Sequence, residues 1–288
     1  MTEYRGRIAP SPTGLLHVGH ARTFWTAYVR ARDAQGVLVL RNEDLDPQRS
    51  KAELADAMLE DLQWLGIHWQ EGPDAGGTFG PYSQSERRAH YLKVWKQLVE
   101  RGSVYPCNCS RRELQGIAQA PHEGAGKSGP VGTDEGPLYP GTCRPKQGSA
   151  ALLQSEGPAG ANWRFRVPDG EVVAFEDGHF GPQRYVAGED FGDFPIWRRD
   201  DVPAYQLAVV ADDHAMRISE VVRGADLLLS TARQILLYRA LGWPAPQWYH
   251  CPLVLDERGE RLAKRHDALA IRTLREQGRT PGEVLGLC

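Results

Sequence analysis

The fold is decided near the start of the chain, in the stretch Arg5-Gly-Arg-Ile-Ala-Pro-Ser-Pro-Thr-Gly-Leu-Leu-His-Val-Gly-His20. Residues 5–9 predict a short β-strand, and the Pro, Ser, Thr and Gly residues after them are typical of a turn. From 17 to about 35 the apolar residues recur at helical spacing, and Gly36 is placed to cap that helix. A strand, a turn and a helix in this order begin a βαβ unit.

The same pattern continues outward from this unit. Residues 37–40 are a continuous apolar run, as in a buried parallel strand, and 51–65 predict an amphipathic helix that stops at Gly66. Because strands and helices alternate at these lengths, we predict an α/β fold with a doubly wound parallel sheet. Later in the chain an apolar run, a strand and a helix follow at 205–211, 218–222 and 231–241, and the helix is predicted to stop at Gly242.

The middle of the chain departs from this alternation. Residues 115–149 are dense in Gly and Pro and have almost no periodic hydrophobicity, which predicts an insertion or a long loop. Residues 163–167 and 172–175, separated by Pro168-Asp-Gly170, predict a β-hairpin. The charged C-terminal part carries one modest predicted helix, over 269–277.

Length and composition predict a soluble, cytoplasmic protein with a sizeable core. Of 288 residues, 41% are hydrophobic and 25% charged, which excludes disorder of the whole chain. No apolar run reaches the roughly 18 residues of a membrane span, and residues 1–7 do not resemble a secretory signal. Five cysteines are too few for a disulfide framework. The net charge of −3 argues against a globally basic nucleic-acid-binding protein, so any RNA contact needs a local patch.

Two histidines at the start of the first predicted helix indicate a phosphate site. His17 and His20 are three residues apart, so they lie on the same side of the first turn. A helix N-terminus offers unpaired N–H groups and the positive end of the helix dipole, and Gly19 would let a ligand approach the backbone closely. Two imidazole donors in this place suit a polyphosphate. The alternative is a pair of surface histidines on a capped helix.

The stretch around these histidines resembles the HIGH signature of the class I aminoacyl-tRNA synthetases. Residues 7–14, followed by Arg41-Asn-Glu-Asp-Leu-Asp46, are similar to the glutamyl-tRNA synthetase branch of that family. The glutaminyl branch has Glu-Pro-Asn-Gly where this chain has Ser11-Pro-Thr-Gly14. Residues 261–266, Arg-Leu-Ala-Lys-Arg-His, resemble the second family signature, KMSKS. Other matching stretches follow in family order at 80–87, 221–224 and 231–243.

This resemblance implies how the chain is divided. A Rossmann-type catalytic domain would be built from residues 1–102 and 191–245, with a zinc-binding, acceptor-side subdomain inserted at 103–190. Residues 246–288 would form the KMSKS-like loop and a short remnant of the stem-contact region. The anticodon-binding domain that follows KMSKS in the discriminating glutamyl enzymes is expected to be absent.

The resemblance also implies which residues bind glutamate. Arg7 and Arg223 would meet the side-chain carboxylate, because a planar guanidinium binds a carboxylate through two parallel hydrogen bonds. The alternative for these arginines is an ordinary ion pair with Glu43 or Glu220. The remaining implied contacts are Glu43 for the α-ammonium, Ser11 for the carboxylate end, and Tyr205, which could instead be a core tyrosine.

For ATP and its Mg²⁺, the implied residues are His17, Gly19, His20 and Lys264. The two histidines and Lys264 would stabilise phosphate charge during catalysis. Alternatively, Lys264 with Arg261 and Arg265 is a solvated basic turn. The chain departs from the family pattern at Ala263, which removes a serine hydroxyl, and at Val209, where an asparagine is common. Val209 lacks a polar side chain, which suggests weaker binding of glutamate.

Three cysteines bracket the Gly- and Pro-rich stretch, namely Cys107, Cys109 and Cys143. Neighbouring thiolates in a cytoplasmic chain favour zinc, and a fourth ligand is needed. The resemblance implies Tyr139 as that ligand and one structural Zn²⁺ per chain, whereas His122 is the more conventional donor. The alternative is a set of reduced thiols without metal. Cys251 and Cys288 belong to no motif and are predicted to be inert.

A catalytic core without an anticodon-binding domain resembles paralogues in the family that attach glutamate to queuosine, a modified base in the anticodon of tRNA(Asp). The implied partners are ATP, L-glutamate and the tRNA(Asp) anticodon stem-loop carrying queuosine, with no membrane and no obligate protein partner. Basic residues that could hold RNA phosphates are Arg111, Arg112 and Lys146. Two alternatives stay open: a synthetase that charges tRNA(Glu), and a catalytically inactive paralogue that binds RNA.

Overall fold

The computed structural model describes residues 3–109, 138–146, 157–254 and 269–287. The strands are β1 (Arg5–Ile8), β2 (Val37–Leu40), β3 (Val104–Cys107), β4 (Asn162–Phe165), β5 (Val172–Asp177), β6 (Gly181–Val186), β7 (Phe194–Trp197), β8 (Glu220–Gly224) and β9 (Gln247–Cys251). The α-helices are α1 (Val18–Asp33), α2 (Ala52–Trp64), α3 (Arg88–Glu100), α4 (Tyr205–Ala215), α5 (Leu228–Leu241), α6 (Ile271–Glu276) and α7 (Pro281–Gly286). Short 3₁₀ helices lie at Gln84–Arg87 and Ala225–Leu227.

Two parallel strand pairs form the centre of the molecule. β1 pairs with β2, and β8 pairs with β9. The backbone N–H of Ser219 donates to the carbonyl oxygen of Arg5 at 2.9 Å, which brings the start of β8 next to β1. The carboxyl ends of these four strands therefore face one edge, and this is the edge at which open α/β sheets bind ligands.

Helices cover both faces of this sheet. Leu38 and Leu40 of β2 pack into a core with α1 and α2, whereas Val39 between them joins a second core with α3, α4 and α5. Val221 and Val222 of β8 are divided between the two cores in the same way. This arrangement confirms the predicted α/β fold with a parallel sheet.

The predicted hairpin of residues 163–167 with 172–175 is wrong. β4 lies between β3 and β7, antiparallel to both, in a separate three-stranded sheet. β5 forms its hairpin with β6, and Asp177 at the end of β5 adjoins Trp248 of β9. The turn after Pro168 does exist, since the N–H of Glu171 donates to the Pro168 carbonyl oxygen at 3.0 Å. Alternation in a sequence predicts a strand but not its partner, and here the chain crosses between two sheets at the turn.

Two glycines that were expected to end helices play different parts. Gly242 caps α5 in the left-handed region, with a φ of 70°, as predicted. α1, in contrast, ends at Ala34, and Gln35 takes the left-handed conformation with a φ of 52°. Gly36 is required for another reason, because a Cβ atom there would lie 2.3 Å from the carbonyl oxygen of Tyr4.

Three α-helices in the described ranges lie outside the predicted ones. α4 forms over a stretch that was predicted only as an apolar run, and the sequence carries a helix signal for each of the other two, α3 and α7. α3 buries Tyr91, Trp95 and Leu98, which recur at helical spacing. α7 begins with a capping box in which the side chains of Thr280 and Glu283 each accept from the other's backbone N–H. None of the helices in the described ranges has the length and apolar character needed to cross a bilayer.

Candidate active site

Charged side chains from several parallel strands meet at the carboxyl edge of the sheet. Arg7 lies on β1, Arg223 on β8, and Glu43 shortly after the end of β2. Both arginines are 4% exposed. Nη1 of Arg7 donates to the carbonyl oxygen of Val222 at 2.8 Å, which ties together the two strands that carry the arginines. Because Arg7 also interacts electrostatically with both Glu43 and Arg223, the three residues belong to one site.

Arg41, for which the sequence suggested no role, is the buried centre of this site. Its guanidinium donates to Oδ1 of Asp213 at 2.6 Å and to Oε1 of Glu43 at 2.9 Å. Nε of Arg7 lies 3.4 Å from the same Asp213 oxygen. Burial raises the pKa of Glu43, and the charge of Arg41 opposes that rise. Since both bonds from Arg41 go to Oε1, they also set the orientation of the Glu43 carboxylate.

A second buried carboxylate, Asp212, holds helix α4 in place. It accepts from Nε of Arg87 at 2.6 Å, from the amide of Gln84 at 2.7 Å and from the hydroxyl of Tyr91 at 2.9 Å. The stretch 80–87 matched the family without an assigned role, and two of its side chains take part in this network. Because α4 begins at Tyr205, the network also positions that tyrosine.

Arg223 has the Tyr205 phenol as an electrostatic neighbour, and the side-chain atoms in the described ranges that accept from it within 3.1 Å are all uncharged. They are Nε2 of His250 at 3.1 Å, Oε1 of Gln234 at 2.9 Å and Oγ1 of Thr231 at 2.6 Å, with a longer contact to a backbone carbonyl. The alternative of an ion pair with Glu220 is wrong, because that carboxylate accepts from a side chain of α1. Burial lowers the pKa of Arg223, although a guanidinium keeps its proton near neutral pH.

His250 connects Arg223 to a buried acid. Nδ1 of His250 lies 2.5 Å from Oδ2 of Asp177, whose Oδ1 accepts from the backbone N–H groups of His179 and Phe180. Burial lowers the pKa of His250 to about 4, so the imidazole is neutral near pH 7. Its single proton then lies on Nδ1 and is donated to Asp177. This leaves Nε2 as the acceptor that the Nε–H of Arg223 requires.

A cavity of about 570 Å³ opens beside these groups. The N–H of Glu43 donates to the carbonyl oxygen of Pro10 at 3.0 Å, and this bond holds the loop that carries Ser11 against the cavity. Tyr205 is 38% exposed, so the alternative of a core tyrosine is wrong. Ser11, Glu43 and Tyr205 line the cavity together with Cys109, Asn162, Arg164 and Arg198.

Three buried polar atoms at the site have no hydrogen-bond partner among the described residues. They are Nε of Arg7, Oδ2 of Asp213 and the hydroxyl of Tyr238. Burial raises the pKa of Tyr238, and both Asp213 and Arg7 act on it electrostatically, so the three atoms are neighbours. An unpaired buried polar group costs about 1–3 kcal/mol. The site therefore contains one cluster of under-satisfied polar groups, none of which lines the cavity.

At the predicted phosphate site, hydrogen bonds from backbone N–H groups fix the orientation of both histidine rings. Nδ1 of His17 accepts the N–H of Gly19 at 3.1 Å, and Nδ1 of His20 accepts the N–H of His17 at 3.2 Å. Burial lowers the pKa of His20 to about 3, so this ring is neutral. With Nδ1 as the acceptor, the proton of a neutral ring lies on Nε2. The start of α1 can therefore present Nε2–H donors beside its own N-terminus.

Gly19 has a structural role besides the one expected. A Cβ atom at this position would lie 2.9 Å from Cε1 of His17, so the glycine makes room for the imidazole ring. The prediction that it lets a ligand approach the backbone stays a prediction.

The three predicted cysteine ligands lie together with Tyr139. The sulfur atoms of Cys107, Cys109 and Cys143 are within 4.8 Å of one another. The hydroxyl of Tyr139 lies 3.5 Å from Sγ of Cys107 and 3.8 Å from Sγ of Cys109. Arg164 donates to Sγ of Cys107 at 3.3 Å and stacks on the Tyr139 ring, 3.9 Å from its centroid. The cluster could hold a metal ion, and Arg164 supplies a cation that offsets thiolate charge.

Several predicted residues lie outside the described ranges. They are Lys264 with its neighbours Arg261, Ala263 and Arg265, and also His122, Arg111, Arg112 and Cys288. The described chain resumes at Leu269, and Ala270 bridges to His17 in an antiparallel manner. Val209 is 1% exposed inside α4, and Cys251 is buried in the core, as expected for an inert cysteine. The roles predicted for Val209 and Lys146 stay predictions.

Comparisons with known proteins agree with this geometry. The sequence profile described as "tRNA synthetases class I (E and Q), catalytic domain" matches residues 3–287. A Glutamyl-Q tRNA(Asp) synthetase of Nitratidesulfovibrio vulgaris is 50% identical over 285 residues, covering 98% of this chain and 84% of the relative. Another from Symbiobacterium thermophilum is 49% identical, with the same two shares covered.

Glutamate–tRNA ligases are also similar, at 40% to 43% identity, and this chain spans 55% to 57% of their length. Among solved structures, a glutamate–tRNA synthetase from Elizabethkingia anophelis superimposes with a TM-score of 0.77 at 31% sequence identity. That match covers 96% of this chain and 54% of the other.

Proposed function

The chain belongs to the class I tRNA synthetases of the glutamate and glutamine type, and from this premise we propose that it activates L-glutamate and transfers it to queuosine in the anticodon of tRNA(Asp). In the first step, the α-carboxylate of glutamate attacks the α-phosphate of ATP, and pyrophosphate leaves. In the second, a hydroxyl of the cyclopentene ring of queuosine attacks the activated carbonyl carbon and loses its proton. An ester forms and AMP leaves, without covalent modification of the protein.

The observation that carries this proposal is the state of Arg223. It is a buried cation whose side-chain hydrogen-bond acceptors in the described ranges are all uncharged. Its neighbour Tyr205 lines the cavity. The side-chain carboxylate of glutamate is an anion of the right geometry for the Arg223 guanidinium. We assign Arg7 to the same carboxylate and Glu43 to the α-ammonium group. Ser11 and Tyr205, which line the cavity with Glu43, are assigned to the rest of the amino acid.

For ATP we assign the start of α1. The Nε2–H groups of His17 and His20 would donate to phosphate oxygens, on which charge grows as pyrophosphate leaves. Gly19 allows His17 to take its position, and Lys264 is proposed to add a further positive charge. Mg²⁺ bound with ATP would neutralise phosphate charge.

The RNA acceptor that we propose is inferred from the names of the most similar relatives reported above. Those named Glutamyl-Q tRNA(Asp) synthetase are more similar to this chain than the glutamate–tRNA ligases are. The cavity supports a second substrate next to glutamate, because its lining also includes Asn162 and Arg198. We propose that Asn162 and Arg198 contact the modified base, since bases of an anticodon loop can be turned out of their stack and bound singly.

We also propose a structural zinc site made of Cys107, Cys109, Cys143 and Tyr139. Tetrahedral zinc with Zn–S bonds of about 2.3 Å requires ligand atoms that are roughly 3.8 Å apart. The sulfur atoms of Cys109 and Cys143 are 3.5 Å apart, and the Tyr139 oxygen is at comparable distances, which suits that geometry. With all ligands from the protein, zinc would stabilise the local fold and would not take part in catalysis.

The proposed function is tested by glutamate-dependent exchange of labelled pyrophosphate into ATP in the absence of RNA. We expect exchange, because every residue assigned to glutamate and ATP belongs to this chain and none requires bound tRNA. Aspartate and glutamine in place of glutamate are the controls and should give little exchange. A chain without any exchange would be the inactive RNA-binding paralogue, and exchange that appears only after tRNA(Glu) is added would favour the ordinary synthetase.

A second test concerns the metal. We expect the purified protein to contain about one zinc per chain, and Cys109→Ser to lose it, because one of four ligands is removed. Transfer to tRNA should fall more than pyrophosphate exchange, since Cys107 pairs with Asn162 of the proposed acceptor site, whereas the phosphates are assigned to the start of α1. Metal content is measured by mass spectrometry, with Cys251→Ala as the matched cysteine control. Wild-type protein from zinc-replete growth that holds far less than one equivalent would contradict the proposal.

A further inference from the structure

The partners of Arg223 share a property beyond being uncharged. Each one also has its own hydrogen-bond donor engaged elsewhere, so that only a lone pair faces the guanidinium. The N–H of His250 is given to Asp177 at 2.5 Å. The amide group of Gln234 donates to Oε1 of Gln206 at 2.9 Å. The hydroxyl of Thr231 can donate to the Leu227 carbonyl oxygen at 3.2 Å or to Nε2 of His250 at 3.1 Å, and in both cases a lone pair is left for Arg223.

The orientation of Gln234 is set by a chain of amides. Nε2 of Gln206 donates to the hydroxyl of Ser230 at 3.0 Å, so its Oε1 is turned toward Gln234. Gln234 must then present its own oxygen to Nη1 of Arg223, at 2.9 Å. Asp177 orients His250 in a comparable way, because it accepts the proton on Nδ1 and leaves Nε2 as the acceptor for Arg223. The amide chain and the imidazole therefore both present oriented, neutral acceptors to one cation.

The arrangement differs from that of the other arginines at the site. Arg41 contacts both Asp213 and Glu43, and Arg87 contacts Asp212, so their charges are compensated by the protein. Arg223 is held by as many hydrogen bonds, yet none of them is to a carboxylate. Asp177 is separated from it by the imidazole ring of His250, and Asp213 acts on its charge without a hydrogen bond. The guanidinium is thus fixed in position without being neutralised.

We propose that Gln234, His250 and Thr231 are positioning residues that determine specificity. They hold Arg223 with neutral acceptors, so the charge of Arg223 favours binding of the carboxylate of glutamate over the carboxamide of glutamine. This rests on the proposed binding of glutamate at Arg223. A carboxylate in place of any of these acceptors would form a buried ion pair with Arg223. The pair would then repel a substrate carboxylate and tolerate an amide.

The test compares Gln234→Glu with Gln234→Met. The first change keeps the length of the side chain and adds a charge, whereas the second keeps the length and removes the acceptor. We expect Gln234→Glu to weaken glutamate binding about 100-fold or more, and Gln234→Met roughly tenfold or less. The preference for glutamate over glutamine should fall about 100-fold in the first variant alone. Calorimetry on the whole protein gives both affinities, and the KM for ATP should change less than about twofold.

A role in packing alone predicts a different outcome, namely that the two variants bind glutamate equally weakly or that methionine is worse. That result would overturn the proposal. If Gln234→Glu does not fold, His250→Glu against His250→Gln repeats the comparison at a second acceptor, and equal affinities there would also refute it. Wild-type protein that fails to bind glutamate would refute the proposed function first. Tight glutamate binding by both Glu variants would refute only the present proposal.

Discussion

Replacing Arg223 with alanine is expected to slow glutamate-dependent pyrophosphate exchange by about 30-fold to several thousand-fold, because a carboxylate left unpaired in a desolvated pocket costs about 2–5 kcal/mol. The KM for ATP should stay within about threefold of wild type, since the histidines assigned to the phosphates lie at the start of α1 and not on β8. The measurement is the initial rate of exchange over a range of glutamate concentrations. The loss should appear mainly in kcat/KM for glutamate.

The matched control is Arg239→Ala. Arg239 lies in the last turn of α5, its side chain is 46% exposed, and it pairs with Glu171 at the surface. Exposed ion pairs contribute little, so this variant should behave as wild type. Thermal unfolding of both variants separates loss of binding from loss of structure, because Arg223→Ala leaves the acceptors of His250, Gln234 and Thr231 without their donor. An Arg223→Ala enzyme within threefold of wild-type activity would show that this arginine does not meet the substrate.

The sequence predicted those parts of the site that lie in short local motifs. His17 and His20 are neighbours on one helical turn, and Arg7, Glu43 and Arg223 each follow or end a strand that the apolar pattern reveals. Because parallel strands place their carboxyl ends at one edge, such residues come together whatever the details of packing. The variants of Arg223 and its partners described above test the role that the resemblance assigns to this arginine.

The supporting residues could not be predicted in this way. His250 and Asp177 are far apart in sequence, and they meet only because β5 adjoins β9 rather than β4. That pairing is the one point at which alternation and a turn signal suggested the wrong partner. Arg41 and Asp213 are likewise joined only by the fold, at 2.6 Å. The local hydrophobic pattern predicts which residues face a core or the edge of a sheet. Hydrogen-bond partners depend on long-range contacts, which a single sequence does not predict.

The largest effect that we expect concerns the RNA. tRNA(Asp) that carries queuosine should accept labelled glutamate, and the same tRNA with an unmodified guanosine in that position should accept none above background. The unmodified base lacks the hydroxyl that attacks the activated carbonyl, so the second step has no nucleophile. The measurement is acid-precipitable label after incubation with ATP and glutamate, with pyrophosphate exchange followed in parallel. Exchange should be the same with either RNA, because activation precedes the encounter with the acceptor.

The place of attachment is decided by two further RNAs. A short hairpin with the anticodon loop and queuosine contains every group that the reaction needs, and we expect it to be glutamylated. Full-length tRNA(Asp) with queuosine but without its terminal adenosine should also react, whereas an ordinary synthetase cannot use it, since its acceptor hydroxyl is gone. The bond formed would be an ester, so mild alkali should release the label from both. If the terminal adenosine proves necessary and queuosine does not, the cavity beside Tyr205 receives the 3′ end of a tRNA, and the proposed acceptor is wrong.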